Sequence, residues 1–586
     1  RRGECIPSLN LVERREDGTL VFAFDAEWRD AKFRPGDFNL LLTNDDSESL
    51  VALHRRGWER RKLQVELVGY DLAADPPRVV LAPGAGFAKA ESEALIDLDR
   101  MCALDRAPSD FNTPRILTTL RALAAGQGEA SLIRGLLDGR VPEGWTPPFG
   151  GSAAADMVLQ QISPFATLNR DQEFAWRAAF ERCLTVVWGP PGTGKTYLLG
   201  WMLIGLAEAA RQMGRPCRIL VTAATHRAVV NVLSRAAREL ERAGIPSPLR
   251  LVKLRGSGND ADRDLAGLTV ELLEDERLPE VLAEADGGEP VVIGSTVWSL
   301  WKQMKREGDA ESPVQPWFDV VVIDEASQIK LSEALIALSS IRAGGQVILC
   351  GDDRQLAPVV QGRYPREAGT LFGSAFGHFA SRFDRLTLRE SRRMNRALIE
   401  YPREIYYPGL VSMCPDQRIH LGEQRDPPAD PADALLRELF LAPEDAVVFC
   451  TYEGVRAAAS NPFEARLAAR LVRLARELLR EPDTREPYSS ERFVSEALAV
   501  ISPHRAQNSA ILAELLQAGF RREELPVVDT VERMQGNERE MIIVSYGVAD
   551  REYAEAEAEF LLNPNRFNVS ITRPRAKLVL LMSEEI

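Results

Sequence analysis

The spacing of apolar and polar positions divides the chain into regions with different hydrophobic patterns. Up to about residue 85, short apolar-rich runs are separated by turn signals such as Arg34-Pro-Gly-Asp37, a pattern typical of short β-strands. Strands at this spacing predict a small β-barrel. The predicted strands are Thr19–Trp28, Phe38–Asn44, Lys62–Tyr70 and Arg78–Ala82.

Between residues 89 and 165 the apolar positions change to a helical period. The predicted helices are Ala94–Leu104, Arg115–Ala124 and Ser131–Leu137, and glycines separate them. This region is therefore predicted to be a helical stalk.

From Thr185 onward, apolar runs of four to six residues alternate with helical stretches, which is the rhythm of a buried parallel sheet. The first series of predicted strands is Thr185–Trp188, Arg218–Thr222, Val291–Ile293, Val320–Ile323 and Gln346–Cys350. The second is Ala446–Cys450, Ala497–Ile501, Met541–Ser545 and Lys577–Leu581. We therefore expect two successive α/β domains, with a boundary near Leu386. The predicted division is barrel 1–88, stalk 89–165, first α/β domain 166–385 and second α/β domain 386–586.

Composition narrows the class of protein. No run of 18 apolar residues occurs in the 586-residue chain, so no membrane-spanning helix is predicted. The formal net charge of −14 disfavours a globally basic nucleic-acid binder, and a phosphate-binding surface would have to be a local patch. The seven scattered cysteines predict a cytoplasmic protein without a disulfide framework or a zinc site. Because the sequence opens at Arg1 rather than Met, we interpret it as part of a longer protein.

A glycine-rich segment between a predicted strand and a predicted helix indicates a phosphate-binding loop. The pattern GxxxxGK[ST] follows Thr185–Trp188 and precedes the helical stretch Tyr197–Ala210. Glycines let backbone N–H groups surround phosphate oxygens, and the helix N-terminus adds a positive field. The segment predicts ATP and Mg²⁺ as ligands, with Lys195 reaching the β- and γ-phosphates and Thr196 binding the metal. The other loop residues predicted to contact the nucleotide are Gly189, Gly192, Thr193 and Gly194.

Two further strand ends carry polar residues that suit ATP hydrolysis. Asp324 and Glu325 follow the strand Val320–Ile323, and Gln355 follows Gln346–Cys350. Strand ends meet at one edge of a parallel sheet. Asp324 is therefore predicted to hold Mg²⁺, Glu325 to deprotonate the attacking water, and Gln355 to sense the γ-phosphate.

These segments resemble superfamily 1B helicases of the kind used in nonsense-mediated decay and Okazaki-fragment processing. The resemblance runs from about Leu168 to Leu581, roughly 70% of the chain. Asp324-Glu-Ala-Ser-Gln328 and Gly351-Asp-Asp-Arg-Gln-Leu-Ala-Pro358 are similar to its motifs II and III. Leu168-Asn-Arg-Asp-Gln172 looks like its Q motif, which implies that Gln172 contacts adenine. The resemblance implies two tandem RecA-like P-loop domains.

In the second α/β domain, Ser391-Arg-Arg-Met394 resembles the family's Gln-Tyr-Arg-Met motif, which implies that Arg393 is one arginine finger. Arg392 stands where the family has a tyrosine that stacks on adenine, and a guanidinium plane can also stack. The segment Asp529–Glu538 resembles motif V, which implies that Gly536 contacts phosphate and Glu538 the ribose. Arg566–Arg575 resembles motif VI, in which Arg573 is the second finger.

Single-stranded nucleic acid is the partner that the resemblance implies, and DNA and RNA remain open. Hydroxyls and backbone N–H groups bind a sugar–phosphate chain without reading its sequence. The candidate contacts are Thr222, Asn231, Ser295, Thr296, His504, Arg505 and Thr530.

Other interpretations remain. A helicase with 5′→3′ polarity is expected from the resemblance, and the alternative is an ATPase switch or remodeller with little unwinding in a larger complex. A P-loop scaffold without turnover is disfavoured because the catalytic groups are present. An oligomeric ring is disfavoured because both candidate fingers lie in one chain. Asn461-Pro-Phe-Glu464, where the family has an Asn-x-x-Glu, is interpreted as a helix-capping box.

Overall fold

The computed structural model describes residues 5–15, 17–25, 40–44, 63–71, 74–83, 98–106, 112–244, 249–255, 260–274, 277–305, 314–360, 369–423 and 430–586. The chain separates into two compact units, Arg1–Pro114 and Arg115–Ile586. In its described part, no helix has the length and apolar character needed to cross a membrane.

The first unit is a closed antiparallel barrel with the strand order β1-β2-β5-β4-β3-β6. Its interior is filled by fully buried apolar side chains such as Phe22, Leu42, Leu81 and Leu104. The barrel prediction is confirmed. The strands are β1 Cys5–Arg14, β2 Leu20–Ala23, β3 Leu40–Asn44, β4 Leu63–Asp71, β5 Arg78–Pro83 and β6 Cys102–Arg106.

Strand β6 corrects the predicted boundary between barrel and stalk. It lies in the region 89–165 and overlaps the predicted helix Ala94–Leu104, so a helix through Leu104 is wrong; residues 94–97 lie outside the described residues. A short apolar run does not distinguish a strand from a helix by period alone. Pairing with β1 and β3, which closes the barrel, decides the conformation here.

Helices open the second unit, as expected. The predicted helices Arg115–Ala124 and Ser131–Leu137 are confirmed within α1 and α2. The first four helices are α1 Thr113–Ala124, α2 Ala130–Leu137, α3 Gly151–Ile162 and α4 Arg170–Glu181.

An eight-stranded parallel sheet follows, in the order β10-β9-β11-β8-β12-β13-β7-β14. Its central strands are buried on both faces, which explains their continuous Val, Ile and Leu runs. The strands are β7 Leu184–Trp188, β8 Arg218–Thr222, β9 Arg250–Leu254, β10 Glu271–Leu273, β11 Val291–Gly294, β12 Phe318–Ile323, β13 Ile341–Gly351 and β14 Arg385–Thr387. The helices are α5 Lys195–Gln212, α6 His226–Ala243, α7 Leu278–Ala285, α8 Val297–Met304, α9 Leu331–Leu338, α10 Gly369–Phe372 and α11 Ala375–Ala380, with a 3₁₀ turn at Asp260–Leu265.

The second sheet has five parallel strands in the order β18-β23-β22-β20-β21. Its strands are β18 Val447–Tyr452, β20 Leu498–Ile501, β21 Val527–Asp529, β22 Arg539–Ser545 and β23 Pro574–Ser583. Two small two-stranded sheets accompany it. One pairs β15 Glu390–Ser391 with β16 Val411–Ser412, and the other pairs β17 His420–Leu421 with β19 Leu479–Arg480. The helices are α12 Arg396–Ile405, α13 Pro431–Phe440, α14 Pro462–Leu478, α15 Ser490–Arg492, α16 Arg505–Gln517, α17 Val531–Met534, α18 Arg551–Ala556, α19 Ala558–Leu561 and α20 Pro564–Ile571, with a π-helical turn at Phe493–Ala497 and a 3₁₀ turn at Arg522–Glu524.

The two parallel sheets confirm the expected tandem α/β arrangement, but the boundary near Leu386 falls inside β14. That strand pairs with β7 and so belongs to the first sheet. With three residues, it is too short to be recognised by a period. One apolar cluster contains residues of both sheets, among them Val186, Leu349, Ile501 and Val544, so the seam between the domains is packed.

A candidate nucleotide site between the two parallel sheets

The glycine-rich loop runs from the end of β7 to the first residue of α5. Gly192 and Gly194 have φ angles of 76° and 78°, a backbone region that favours glycine. A Cβ atom on Gly192 would lie 2.5 Å from Cβ of Arg393, and one on Gly194 would lie 2.9 Å from Nε2 of Gln172. The Lys195 ammonium donates a hydrogen bond to the Gly189 carbonyl. The loop therefore needs glycine both for its conformation and for the close approach of other residues.

This loop forms one wall of a cleft of about 1010 Å³, which is at the upper end of ordinary ligand clefts. The other wall comes from the second α/β domain. The candidate residues that line the cleft are Gly192, Thr193, Gly194, Lys195, Thr196, Asp324, Glu325, Gln355, Arg392, Arg393, Gly536, Glu538 and Arg573. The structure thus brings most of the predicted nucleotide, metal and catalytic residues to one place.

Asp324 and Glu325 lie at the tip of β12. Asp324 is buried and accepts a 2.9 Å hydrogen bond from the Glu325 N–H. Burial, followed by the neighbouring Glu325 charge, raises the pKa of Asp324. Glu325 has a φ of 48°, a left-handed conformation that costs a non-glycine residue about 1–3 kcal/mol. The backbone therefore holds the candidate base in a strained position beside the phosphate loop.

The residues present suit a magnesium ion. Thr196 offers a hydroxyl and Asp324 a carboxylate, and both line the cleft. A cation beside Asp324 would favour the ionised form that burial disfavours. In the described residues, no group of three or more His, Cys, Asp and Glu that could hold a metal ion is present.

Arg393 enters the cleft from the second domain between two acceptors. Its Nε lies 2.5 Å from Oε2 of Glu538, and its Nη1 donates to the Thr572 carbonyl at 3.0 Å. Arg575 Nη2 binds the other oxygen of Glu538 at 2.6 Å. Although burial alone would raise it, the charges of Arg393 and Arg575 hold the pKa of Glu538 at about 2. Glu538, expected to contact the ribose, is in this structure the anchor of Arg393.

Arg573 is 2% exposed and faces the same cleft. Its Nε donates to the Val569 carbonyl at 2.9 Å, and its Nη2 lies 3.5 Å from Oε1 of Gln355. Burial and the like charge of Arg393 lower the pKa of Arg573. Two guanidinium groups therefore face a cleft whose opposite wall is a phosphate loop, an arrangement that suits a polyphosphate.

Comparison with known proteins agrees with this geometry. Two family models, each described as an AAA domain, match residues 172–361 and 371–585. The chain is 27% identical over 451 residues to the ATP-dependent helicase NAM7 of Saccharomyces cerevisiae, an alignment that covers 72% of this chain and 42% of the relative. These matches support a superfamily 1B helicase.

Two other relatives are also similar to this chain. A regulator of nonsense transcripts 1 homolog of Neurospora crassa is 25% identical, with 72% of this chain and 37% of the relative covered. The DNA replication ATP-dependent helicase/nuclease DNA2 of Mus musculus is 26% identical, with 71% and 37% covered. The alignments thus span about two fifths of the length of these relatives.

The two residues expected at adenine differ in how they are held. Gln172 is 4% exposed; its Oε1 accepts from the Asn169 N–H at 3.1 Å and its Nε2 donates to the Thr193 carbonyl at 3.2 Å. It therefore braces the phosphate loop, and its contact with adenine stays a prediction. Arg392 is exposed at the cleft, and its N–H donates to the Gly192 carbonyl at 2.9 Å. This position leaves the guanidinium accessible for stacking.

The candidate nucleic-acid residues of the first domain are not arranged as a common exposed surface. Thr222 and Ser295 are fully buried, and the Ser295 hydroxyl donates to the Thr296 carbonyl. Thr296 is 5% exposed and caps α8 by accepting from the Ser299 N–H. Asn231 is exposed but lines the nucleotide cleft. Burial counts against hydroxyl contacts with a strand, and these assignments stay predictions.

In the second domain, the corresponding residues follow strand ends. His504 is half-buried and packs on Tyr553 and Phe560 at ring-centroid distances of 5.9 and 5.3 Å. Arg505 is exposed, whereas Thr530 is 8% exposed at the start of α17. Of the candidates here, Arg505 offers the accessible charge for a phosphate.

Asn461 caps α14 as predicted, since its side chain accepts from the N–H groups of Phe463 and Glu464. Glu464 does not complete a capping box. Its carboxylate instead accepts from the Ser545 hydroxyl at 2.6 Å and the Gly547 N–H at 2.9 Å, and burial raises its pKa. The segment is thus part of a buried polar network rather than a simple cap.

Sequence reasoning missed three buried residues next to the site, namely Asp352, Tyr407 and Asn568. Asp352 stands in the motif III segment, three positions before Gln355, and spacing could have marked it as a neighbour. Asn568 stands in the motif VI segment, five positions before Arg573, and could have been marked in the same way, whereas Tyr407 lies outside the quoted motifs and gave no such signal.

Proposed function

We propose that this chain is an ATP-dependent single-stranded nucleic-acid translocase or helicase that hydrolyses ATP in the cleft between its two RecA-like domains. The observation that carries the proposal is the convergence on one cleft of Lys195 and Glu325 from one domain with Arg393 and Arg573 from the other. Cations from both sides are what a departing phosphoryl group requires.

On the first-domain wall, the backbone N–H groups of the loop and Lys195 bind the β- and γ-phosphates. Glu325 accepts a proton from the attacking water as general base. A Mg²⁺ ion held by Thr196 and Asp324 would supply Lewis-acid neutralisation of the phosphate charge.

On the second-domain wall, Arg393 and Arg573 stabilise the charge that develops on the transferred phosphoryl group. Gln355, whose side chain lies between Asp352 of its own domain and Arg573 of the other, reports whether the γ-phosphate is present. Closure on ATP and opening after hydrolysis would move one domain along the strand relative to the other.

The nucleic-acid partner, the polarity and the domain roles belong to the proposal as well. The 5′→3′ direction rests on the family resemblance, and the named relatives include a regulator of nonsense transcripts and a DNA replication ATP-dependent helicase/nuclease. We assign the barrel an accessory role, followed by the helical stalk and the two motor domains. A cytoplasmic location is supported by the free thiols of Cys183, Cys217, Cys350, Cys414 and Cys450.

The first test is ATP turnover with single-stranded DNA and with RNA of the same sequence. We expect one of them to stimulate turnover, and Lys195→Ala to abolish it. Streptavidin displacement from either end of a labelled strand then measures movement. Stimulated turnover without displacement from either end would favour the switch or remodeller, and a lack of turnover with either strand would contradict the proposal.

A further inference from the structure

A fully buried carboxylate lies directly behind Gln355. Asp352 is 0% exposed and accepts hydrogen bonds from Gln355 Nε2 at 2.6 Å, the Tyr407 hydroxyl at 2.8 Å and Trp188 Nε1 at 3.2 Å. Burial raises the pKa of Asp352, and a buried carboxylate depends on such donors to remain ionised. The ionised state of Asp352, which holds Gln355, therefore depends on each of these hydrogen-bond donors.

One of these donors comes from the other domain. Tyr407 follows α12 and is 1% exposed, and its hydroxyl also accepts from Nδ2 of Asn568 at 2.6 Å. The Asn568 amide donates in addition to the Arg354 carbonyl at 2.7 Å. A continuous row of hydrogen bonds therefore crosses the seam between the domains from Asp352 to Asn568.

The row of hydrogen bonds continues toward Arg573, the second candidate arginine finger. Asn568 lies on α20, and its carbonyl accepts from the Thr572 hydroxyl at 2.7 Å and the Thr572 N–H at 3.1 Å. Arg573 is the next residue. A shift of Asn568 would thus be carried to the guanidinium through one helical turn.

Asp352 also fixes the direction of the Gln355 amide. A carboxylate only accepts hydrogen bonds, so Nε2 of Gln355 has to face it and Oε1 has to face away. Oε1 lies 3.5 Å from Arg573 Nη2 and 3.4 Å from Gln535 Nε2, contacts too long to orient the amide by themselves. The short bond to Asp352 sets the orientation.

We propose that Tyr407 is a positioning residue that couples the phosphate sensor to the opposite domain. Through Asp352 it holds the Gln355 amide, and through Asn568 it holds the end of the helix that immediately precedes Arg573, so that both groups reach the γ-phosphate together when the domains close. This inference rests on the proposed ATP hydrolysis.

The test compares two neighbouring buried tyrosines in the full chain. Tyr407→Phe removes the hydroxyl that binds Asp352, whereas Tyr406→Phe removes a hydroxyl that donates to the Pro564 carbonyl at 3.0 Å. In single-turnover ATP hydrolysis with Mg²⁺ and a stimulating strand, we expect Tyr407→Phe to be about 10- to 100-fold slower with ATP affinity nearly unchanged. Tyr406→Phe should keep the parent rate.

A double-mutant cycle separates positioning from general support of the fold. If Tyr407 acts through Gln355, Tyr407→Phe should cost much less in a Gln355→Ala background than in the parent. Fully additive losses, or a parallel fall in thermal stability and ATP affinity absent from Tyr406→Phe, would overturn the inference. An active parent with an equally active Tyr407→Phe variant refutes the role of Tyr407 alone, whereas an inactive parent refutes the proposed function and this inference with it.

Discussion

The two walls of the cleft hold their functional groups in different ways. On the first-domain wall, the functional groups are held by the backbone conformation, with left-handed φ angles at Gly192, Gly194 and Glu325. On the second-domain wall, the charged side chains are fixed by other side chains and carbonyls, as in the row Arg393–Glu538–Arg575. The first wall should therefore be sensitive to changes of shape, and the second to changes of charge.

The largest effect is expected on the second wall. Arg573→Ala removes a buried cation that contacts Gln355 and faces the phosphate loop. We expect turnover to fall about 10³-fold, since a finger acts mainly in the transition state. ATP affinity, measured by equilibrium titration, should change far less. Equal losses in turnover and affinity would argue against a transition-state role.

On the first wall, Glu325→Gln keeps the shape and removes the proton acceptor. Turnover should fall about 10²- to 10³-fold while ATP binding persists. Rapid-quench measurement of phosphate formation checks this, with Glu333→Gln on α9 as the control because Glu333 pairs with Lys330. Full activity of Glu325→Gln would remove its assignment as the base.

Gly192→Ala tests the role of shape directly. The new methyl group would lie 2.5 Å from Cβ of Arg393, at a φ of 76°. We expect about tenfold weaker ATP binding together with a lower melting temperature, since the loop and Arg393 have to move apart. Gly214→Ala is the matched control, with a φ of 60° and nothing within 4 Å of the added Cβ. It should lose stability without losing ATP affinity; similar affinities for both variants would contradict the steric argument.

The smallest effect is expected at Glu538. Glu538→Gln leaves Arg393 and Arg575 without their shared carboxylate, and turnover should fall about fivefold, equivalent to ~1 kcal/mol.

Because the folded pKa of Glu538, about 2, lies below the ordinary value of 4.5, the ion pair stabilises the fold above pH 4.5 and is lost as the pH falls toward 2. The difference in melting temperature between the parent and Glu538→Gln should therefore shrink between pH 6 and pH 3. A difference independent of pH would refute the charge-based role.

Some features of the fold and the site could be predicted from the sequence, and others could not. Central strands such as Val320–Ile323 and the glycine loop were predictable because buried parallel strands and phosphate loops have strong local patterns. Short strands such as β6 and β14 were not, because their conformation depends on partners distant in sequence. The convergence of Lys195 and Arg573 followed from family motifs. No local pattern encodes the strained φ of Glu325, and the bond between Tyr407 and Asp352 depends on the assembled seam between the domains.

The closing of the barrel by β6 has a consequence for the history of the chain. Among the described strands of the barrel, the first and the last are neighbours, so the chain leaves the barrel beside the point where it enters β1. Entry and exit points that lie close together are what allow a domain to be inserted into another chain, or exchanged, without disturbing the host fold.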